Sequence, residues 1–295
     1  MAFKIAGIGE LLWDMLPGGM QLGGAPTNFA YHMQQAGFET FVVSAVGMDR
    51  DGEEILEVLD QLQLNDSFVQ RILDYPTGTV TVKINPSGIP GYTIHENVAW
   101  DYIEWSAGLD ALAREVDAVC FGSLAQRDAV SRSTIRRFLK STNAECLRVF
   151  DINLRQSFYT KEIILRSLEL ANVLRINEEE LPIVTEILGY SGRKESQLNQ
   201  LLKGFDLRLI AHTLGSGGSL LLTQDEISSC QVPEIEVADT VGAGDAFTAL
   251  MLAGMLHNQT LKTTHEMATE VAAFVCTQNG ATPKLPRELL DKILI

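Results

Sequence analysis

The chain has 295 residues, enough for one large α/β domain or two domains of average size. Hydrophobic residues make up 46% and charged residues 21%, an ordinary globular composition that excludes a disordered chain. The 23 Lys and Arg against 38 Asp and Glu give a net charge of −15, which repels phosphate backbones, so we expect no nucleic-acid partner. No apolar stretch approaches the ~18 residues of a membrane span, and residues 1–5 lack a signal-peptide core. We therefore expect no membrane partner and a cytoplasmic location.

Strand and helix patterns alternate along the chain. An apolar run at 3–9 predicts a buried strand, and a helix with Pro26 in its first turn follows the glycines at 23–24. Such alternation predicts βαβ units, hence an α/β fold with a mainly parallel sheet covered on both faces. No linker rich in Pro, Gly or Ser divides the sequence, so we expect a single domain over 1–295. The later strands are predicted at 41–46, 118–121, 147–150 and 173–176, and the helices at 52–62, 131–140, 163–171, 243–256 and 261–278.

One segment breaks this alternation. Residues 79–84 and 92–95 alternate apolar and polar side chains and are joined by a turn rich in Pro and Gly, which predicts a hairpin with one solvated face. A hairpin inserted into an α/β pattern is most simply a lid or an interface element. A two-stranded ribbon alone is marginally stable, so we expect it to pack on the substrate site or on a second subunit.

The segment at 239–247 carries the strongest functional signal. Gly242, Ala243 and Gly244 precede Asp245 at the start of a predicted helix, where free backbone N–H groups and the helix dipole attract anions. We call the backbone of these three small residues the anion nest. Taken alone, Asp245 is also explained as a helix cap. A carboxylate inside an anion nest is better suited to accept a proton from a hydroxyl that attacks a phosphoryl group.

A second glycine-rich turn opens the first helix. Gly23 and Gly24 precede Asn28, and upstream Glu10 and Asp14 lie on one face of an extended chain. By itself this segment is a tight turn. A carboxylate that accepts and an amide that both donates and accepts suit a ligand with several hydroxyls.

Further polar groups follow predicted strands. Asn177 and Glu180 come after the strand at 173–176, where an acidic first helical turn and a water-mediated Mg²⁺–phosphate site are both open explanations. The glycine turn at 213–218 lies between two apolar strands and is by itself an ordinary hairpin turn. No GxxxxGK[ST] motif occurs, so nucleoside-triphosphate chemistry would need another arrangement. Alternating polar residues also stand at the carboxyl end of the strand at 147–150, where open sheets bind ligands: Asp151, Asn153 and Arg155.

Together these motifs resemble those of the ribokinase-like, or PfkB, family of carbohydrate and nucleoside kinases. The resemblance covers nearly the whole chain in order, and the motif at 239–245 is its most specific part. Residues 99–101 and 280–283 are most similar to those of fructokinases. The other matching segments are Gly9-Glu10 with Asp14, residues 23–28, 47–52, 153–155 and 213–215, and Asn177 with Glu180.

The resemblance implies a three-layer α/β/α fold with a small β lid, built from segments at about 11–16 and 78–97. It implies transfer of the ATP γ-phosphate to a sugar hydroxyl, with fructose as the first choice of sugar. Asp245 would be the general base, the anion nest would hold the phosphoryl group, and Arg155 would lie near it. The implied sugar-binding residues are Asp14, Gly23, Gly24 and Asn28. The implied ATP-binding residues are Asn177, Thr213, Gly215, Gly218 and Thr269, with Glu180 serving Mg²⁺ through water.

The sequence departs from the family pattern at the monovalent-cation site. Family members that bind this cation use an Asp matching Asp239, but Gln278 and Lys284 occupy the neighbourhood here. We expect at most a weak dependence on K⁺, with the Lys284 ammonium replacing the ion. We also expect a homodimer formed through the lid. The alternatives are a ribose, nucleoside or other sugar kinase of the same fold, or a catalytically idle sugar-sensing protein, against which the retained Asp245 argues.

Overall fold

Two β-sheets organise the chain in the computed structural model, which describes residues 3–16, 18–84 and 90–293. In the large sheet, neighbouring strands are parallel except at the two antiparallel pairs that end one edge. The mainly parallel sheet is therefore confirmed. From that edge its nine strands are β13 (Ile227–Cys230), β12 (Ser219–Leu222), β11 (Leu209–Thr213), β10 (Val173–Asn177), β9 (Leu147–Asp151), β8 (Ala118–Phe121), β1 (Lys4–Ile8), β4 (Glu39–Gly47) and β5 (Asn65–Ile72).

Helices cover both faces of this sheet. Successive residues of β9 point to opposite sides, so Val149 and Phe150 belong to different hydrophobic clusters. One side is covered by α1 (Ala25–Gln35), α2 (Arg50–Gln61), α8 (Ala243–Leu256), α9 (Leu261–Cys276) and α10 (Arg287–Ile293). The other is covered by α3 (Ala107–Glu115), α4 (Ala129–Ser141), α5 (Lys161–Leu170), α6 (Glu180–Leu188) and α7 (Lys194–Gly204). The three-layer α/β/α fold is thus confirmed.

The smaller sheet, which we call the lid, has four strands. They lie in the order β3 (Gly19–Gly23), β2 (Leu12–Leu16), β6 (Gly78–Ile84) and β7 (Pro90–Ile94). β6 and β7 form the predicted hairpin, and it is not isolated, because β2 pairs with β6 and supplies an additional surface from within the chain. Val80 and Ile94 are accordingly buried against the main core. The turn between β6 and β7 was predicted at residues 85–91; residues 85–89 lie outside the described residues, and β7 begins at Pro90.

A carboxylate joins the base of the lid to α2. Asp49 caps α2 by accepting a hydrogen bond from the Gly52 N–H at 2.8 Å. The same carboxylate accepts bonds from the backbone N–H and the hydroxyl of Thr77, at 2.8 and 2.6 Å. Thr77 directly precedes β6, so this cluster fixes the point at which the chain enters the lid.

A buried arginine fixes the other end of the lid. Arg127 donates to both carboxylate oxygens of Asp101, at 2.7 and 2.8 Å, and to the carbonyl of His95, which follows β7. Its guanidinium lies 4.0 Å from the ring centroid of Trp100 and 4.7 Å from that of Phe158. The segment at 99–101 therefore anchors the lid. Among the described residues, no helix combines the length and apolarity that crossing a membrane requires.

Candidate active site

The anion nest lies at the start of α8. Gly242 precedes the helix with φ of +78°, a left-handed conformation that favours glycine. A Cβ at Gly242 would stand 2.5 Å from the Cα of Ala281, so close packing also requires glycine there. No side chain of the described residues caps this helix. The helix start therefore keeps the exposed N–H groups and positive dipole end that an anion needs.

Asp245 meets the first helix at this point. The Asn28 amide, in the first turn of α1, donates a hydrogen bond of 2.8 Å to Asp245 Oδ2. Burial and the negative charge of Asp151 raise the pKa of Asp245 to about 7, against the opposing effects of Asn28, Arg175 and Arg155. The two glycine-rich motifs thus form one site, and its carboxylate has the pKa of a base that works at neutral pH.

A second carboxylate and two glycines lie beside this pair. Asp14, on β2, sits so close to Gly23 that a Cβ on that glycine would overlap Asp14 Oδ2. Gly24 has φ of +119°, and a Cβ there would overlap the Glu10 carbonyl oxygen. Burial raises the pKa of Asp14 to about 6, while the charge of Arg155 lowers it. These residues form a polar corner in which a neutral ligand could approach the backbone closely.

Arg155 is the exposed cation of the site. It lies in the loop after β9, and its positive charge lowers the pKa values of Glu10, Asp14 and Asp245. The guanidinium is therefore within electrostatic reach of all three carboxyl groups. The Gln156 amide in the same loop donates a 2.7 Å hydrogen bond to the Tyr92 carbonyl, which connects the loop to the lid.

Asn177 and Glu180 form the turn between β10 and α6. Glu180 is buried, and its two carboxylate oxygens accept the N–H groups of Leu154 at 3.0 Å and Asn177 at 2.9 Å. No group of three or more His, Cys, Asp or Glu side chains in the described parts of the chain is arranged to hold a metal. Each Glu180 oxygen keeps a second lone pair, which fits a Mg²⁺ ion that retains its waters and is held mainly by phosphates.

The predicted nucleotide-binding turn lies beside Asn177. Thr213 ends β11 directly opposite Asn177 in the sheet, so the two polar residues share one edge. Gly215 and Gly218 both adopt positive φ, at +54° and +93°. A Cβ at Gly218 would overlap the Cys230 carbonyl, so packing against β13 is a structural reason for that glycine.

Thr269 lies on α9, which contacts the strands that follow this turn. One helical turn earlier, His265 pairs with the hydroxyls of Ser219 at 2.8 Å and Ser228 at 2.9 Å, which joins α9 to β12 and β13. Thr269 is buried, and its hydroxyl has no hydrogen-bond partner among the described residues. Near the end of α9, a cavity of about 410 Å³ is lined by residues 235–238 and Thr277.

Asp239 connects the anion-nest motif to residues 280–285, which we call the closing segment. One carboxylate oxygen accepts the Val241 N–H at 3.1 Å, and the other accepts the Gly280 N–H at 3.2 Å. Lys284 is exposed, and among the described residues no ion pair joins it to Asp239, whose oxygens accept backbone N–H groups, so the geometry does not support the expectation that its ammonium replaces a cation there. Gln278 donates to the neighbouring Thr277 hydroxyl instead.

The closing segment is held by α1. His32 Nε2 lies 3.0 Å from the carbonyl oxygen of Ala281, which packs against the N-cap glycine of α8. The Gln35 side chain exchanges two hydrogen bonds with the backbone of Pro283 and Leu285, at 3.2 and 2.8 Å. Side chains of α1 therefore support the back of the anion nest.

Arg175, which the motifs did not single out, lies directly behind the nest. A Cβ at Gly244 would come within 2.6 Å of Arg175 Nη2. Arg175 Nη1 also lies 3.3 Å from Asp151 Oδ1, and the other Asp151 oxygen accepts a bond from Thr248 on α8. The sequence did carry a signal for this residue: Arg175 is a charged residue within an apolar strand that is predicted to be covered on both faces.

Comparison with known proteins shows the family to which the chain belongs. Residues 18–288 match the model of the pfkB family of carbohydrate kinases. The chain is 28% identical to a fructokinase of Salmonella typhimurium, over 97% of both chains. It is 27% identical to an ATP-dependent 6-phosphofructokinase of Thermoanaerobacterium thermosaccharolyticum, over 96% of this chain and 91% of that protein. An uncharacterized sugar kinase of Pyrococcus horikoshii in complex with ATP superposes with a TM-score of 0.81 at 27% identity, over 98% of this chain and 99% of that chain. The resemblance is confirmed: the chain belongs to the pfkB family of carbohydrate kinases and is a phosphotransferase with an alcohol group as acceptor.

Proposed function

We propose that the enzyme transfers the γ-phosphoryl group of ATP to a hydroxyl of fructose. The observation that carries the proposal is the hydrogen bond between Asn28 and Asp245 at the uncapped start of α8. The similarity to a fructokinase supports fructose, and the similarity to a sugar kinase solved with ATP supports ATP.

The charges of the site favour a neutral sugar over a sugar phosphate. The carboxyl groups of Glu10, Asp14 and Asp245 are all within the electrostatic reach of one exposed cation, Arg155. A phosphate group already present on the acceptor sugar would meet more negative than positive charge there. This charge balance supports fructose over fructose 6-phosphate, the acceptor suggested by the 6-phosphofructokinase relative.

In the proposed mechanism the sugar hydroxyl attacks while Asp245 takes its proton. Asp14, the Gly24 backbone and Asn28 would hold the other hydroxyls, since a carboxylate accepts and an amide does both. Asn28 also orients the Asp245 carboxylate through its 2.8 Å hydrogen bond. A new bond forms between the sugar oxygen and the γ-phosphorus, and the bond from that phosphorus to the β-phosphate oxygen breaks.

Positive groups would then offset the charge of the transferred phosphoryl group. The anion nest would supply backbone N–H donors and the helix dipole, and Arg155 would add a guanidinium from the loop after β9. Glu180, with Asn177, would hold Mg²⁺ through water, and the ion would neutralise phosphate charge when bound. Thr213, Gly215, Gly218 and Thr269 would contact the rest of the nucleotide.

The proposal is tested by measuring ADP release with fructose, fructose 6-phosphate, ribose and adenosine as acceptors. We expect fructose to give the highest kcat/KM. A preference for another acceptor would overturn the choice of sugar and favour a ribose, nucleoside or sugar-phosphate kinase. Sugar binding without turnover on any acceptor would instead favour the sugar-sensing alternative.

The matched variant is Asp245→Asn, which keeps the size of the side chain and removes the base. We expect an unchanged fold, near-native fructose affinity and a loss of at least ~100-fold in kcat, the usual scale for removal of a general base. Turnover close to that of the wild type would rule out Asp245 as the base, whatever the acceptor.

A further inference from the structure

Arg175 is a charged residue in the interior of the large sheet. It lies on β10, directly opposite Asp151 of β9 in the parallel register, and its side chain is 13% exposed. A guanidinium in such a position needs a partner, because the loss of hydration is costly. Asp151 provides one, with 3.3 Å between Nη1 and Oδ1.

A continuous set of bonds leads from this ion pair to the anion nest. The second oxygen of Asp151 accepts the Thr248 hydroxyl at 3.0 Å, and the same hydroxyl lies 3.0 Å from the Gly244 carbonyl. Arg175 also touches the nest directly, since Nη2 occupies the space into which a side chain at Gly244 would project. The guanidinium thus contacts the first turn of α8 both directly and through Asp151.

The guanidinium of Arg175 is not fully paired by hydrogen bonds, although several carboxylates surround it. Its Nε has no hydrogen-bond partner among the described residues, and besides Asp151 it interacts electrostatically with Glu180 and Asp245. One buried cation therefore faces three carboxylates immediately behind the place where an anion is expected to bind.

We propose that Arg175 is a positioning residue for phosphoryl transfer, which fixes the first turn of α8 and places a buried positive charge behind the anion nest and Asp245. The inference rests on the proposed function of Asp245 as the base. Arg175 touches neither substrate; it acts through Gly244, Asp151 and Asp245.

This role has a signature in the pH dependence of the reaction. The groups that face Asp245 are Asp151 on β9, Arg175 on β10 and Arg155 in the loop after β9, together with the amide of Asn28 and the thiol of Cys120. Asp151 raises the pKa of Asp245, and both arginines lower it. Loss of Arg175 should therefore move the acid limb of the pH profile of kcat/KM to higher pH. Loss of Asp151 should move the same limb to lower pH.

The experiment compares the pH profiles of Arg175→Gln and Arg175→Lys. For Arg175→Gln we expect an acid limb higher by about one pH unit and a kcat at pH 7 lower by at least ~10-fold, with little change in fructose KM. Arg175→Lys retains the charge and should keep the limb near its wild-type position. The matched control is Arg136→Gln, which breaks an ion pair with Glu162 (2.6 Å) on the surface of α4 and should leave the limb unmoved.

Two further variants keep the outcome decisive. If Arg175→Gln does not fold, Asp151→Asn should still shift the limb downward; an unshifted limb in the folded variants would overturn the inference. Asp245→Asn separates the two proposals. If it loses turnover while Arg175→Gln keeps the wild-type limb, the inference about Arg175 fails and the base assignment stands. If Asp245→Asn keeps turnover, the base assignment itself fails.

Discussion

Glu10 is a buried carboxyl group beside the site. It is 3% exposed, lies beneath Gly24, and its Oε2 has no hydrogen-bond partner among the described residues. Burial raises the pKa of Glu10 to about 7, although the charge of Arg155 and the Ala25 N–H oppose the rise. At neutral pH this carboxyl group is therefore partly protonated, and its ionisation opposes folding.

We expect Glu10→Gln to remove a pH-dependent loss of stability. Because the folded-state pKa lies above the ordinary value, the stabilisation by the bound proton is fully present below about pH 4.5 and is lost as the pH rises through 7. Between pH 5.5 and 8 the wild type should lose on the order of 2 kcal/mol more of its free energy of unfolding than the variant. Urea denaturation at the two pH values measures this difference, and equal losses in both proteins would contradict it.

The sequence was informative for residues that belong to local motifs and uninformative for those defined by distant contacts. Asp245 and Asn28 were predicted because small residues and a helix start surround each of them. Arg175 and Gln156 were missed, because their partners on β9 and on the lid are set by the tertiary arrangement. The roles assigned to the site residues remain predictions.

At the scale of elements, the loop after β9 connects the lid to Arg155. Asn153 and Gln156 adopt φ of +46° and +49°, which is uncommon for residues with side chains. Gln156 also donates its amide to the Tyr92 carbonyl of the lid. The hydrogen bond to the lid therefore helps to fix the loop conformation that exposes Arg155.

We expect Gln156→Glu to weaken this connection, because a carboxylate cannot donate and is repelled by the Tyr92 carbonyl. The fructose KM should rise by about 3–10-fold, as for the loss of one exposed hydrogen bond, with a smaller change in kcat. Gln156→Lys restores a donor and should recover part of the loss. Gln200→Ala is the control, because the Gln200 amide donates to Ser191 and Ser196. An unchanged KM in Gln156→Glu would show that the lid does not need this bond.

Some elements were predicted almost to the residue, whereas the helices α3, α6 and α7 and the exposed strands were not predicted. β8 and α8 have the bounds that the apolar pattern indicated. β3 was missed because its residues are glycine-rich and mostly exposed. β5 was missed because it is an edge strand with polar residues through most of its length.

At the scale of the whole molecule, the lid keeps an uncovered apolar residue. Tyr92 and Ile94 are two apart on β7 and share a face, yet Ile94 is 7% exposed and Tyr92 is 59% exposed. The apolar face thus extends beyond the part that the main sheet covers. This is consistent with the expected homodimer, in which a second lid would cover the exposed part.

We expect the wild type to sediment as a dimer at micromolar concentration and Tyr92→Asp to dissociate, since the new charge would lose hydration in the interface. The same variant should raise the fructose KM if the paired lid caps the sugar. Ile227→Asp, at an equally exposed position on β13 at the far edge of the large sheet, should leave both properties unchanged. A monomeric wild type would reject the dimer.

The hydrogen bonds between α1 and residues 281–285 bear on the order in which the molecule folds. Asn28 and Asp245 are 217 residues apart, and Gln35 and Leu285 are 250 apart. Contacts across such long loops form late, because the entropy of closing the loop is lost before the contact is gained. We therefore expect the strands of the large sheet to assemble before the segment at 281–285 packs behind Gly242. A folding chain should then acquire its sheet first and complete its phosphoryl site only afterwards.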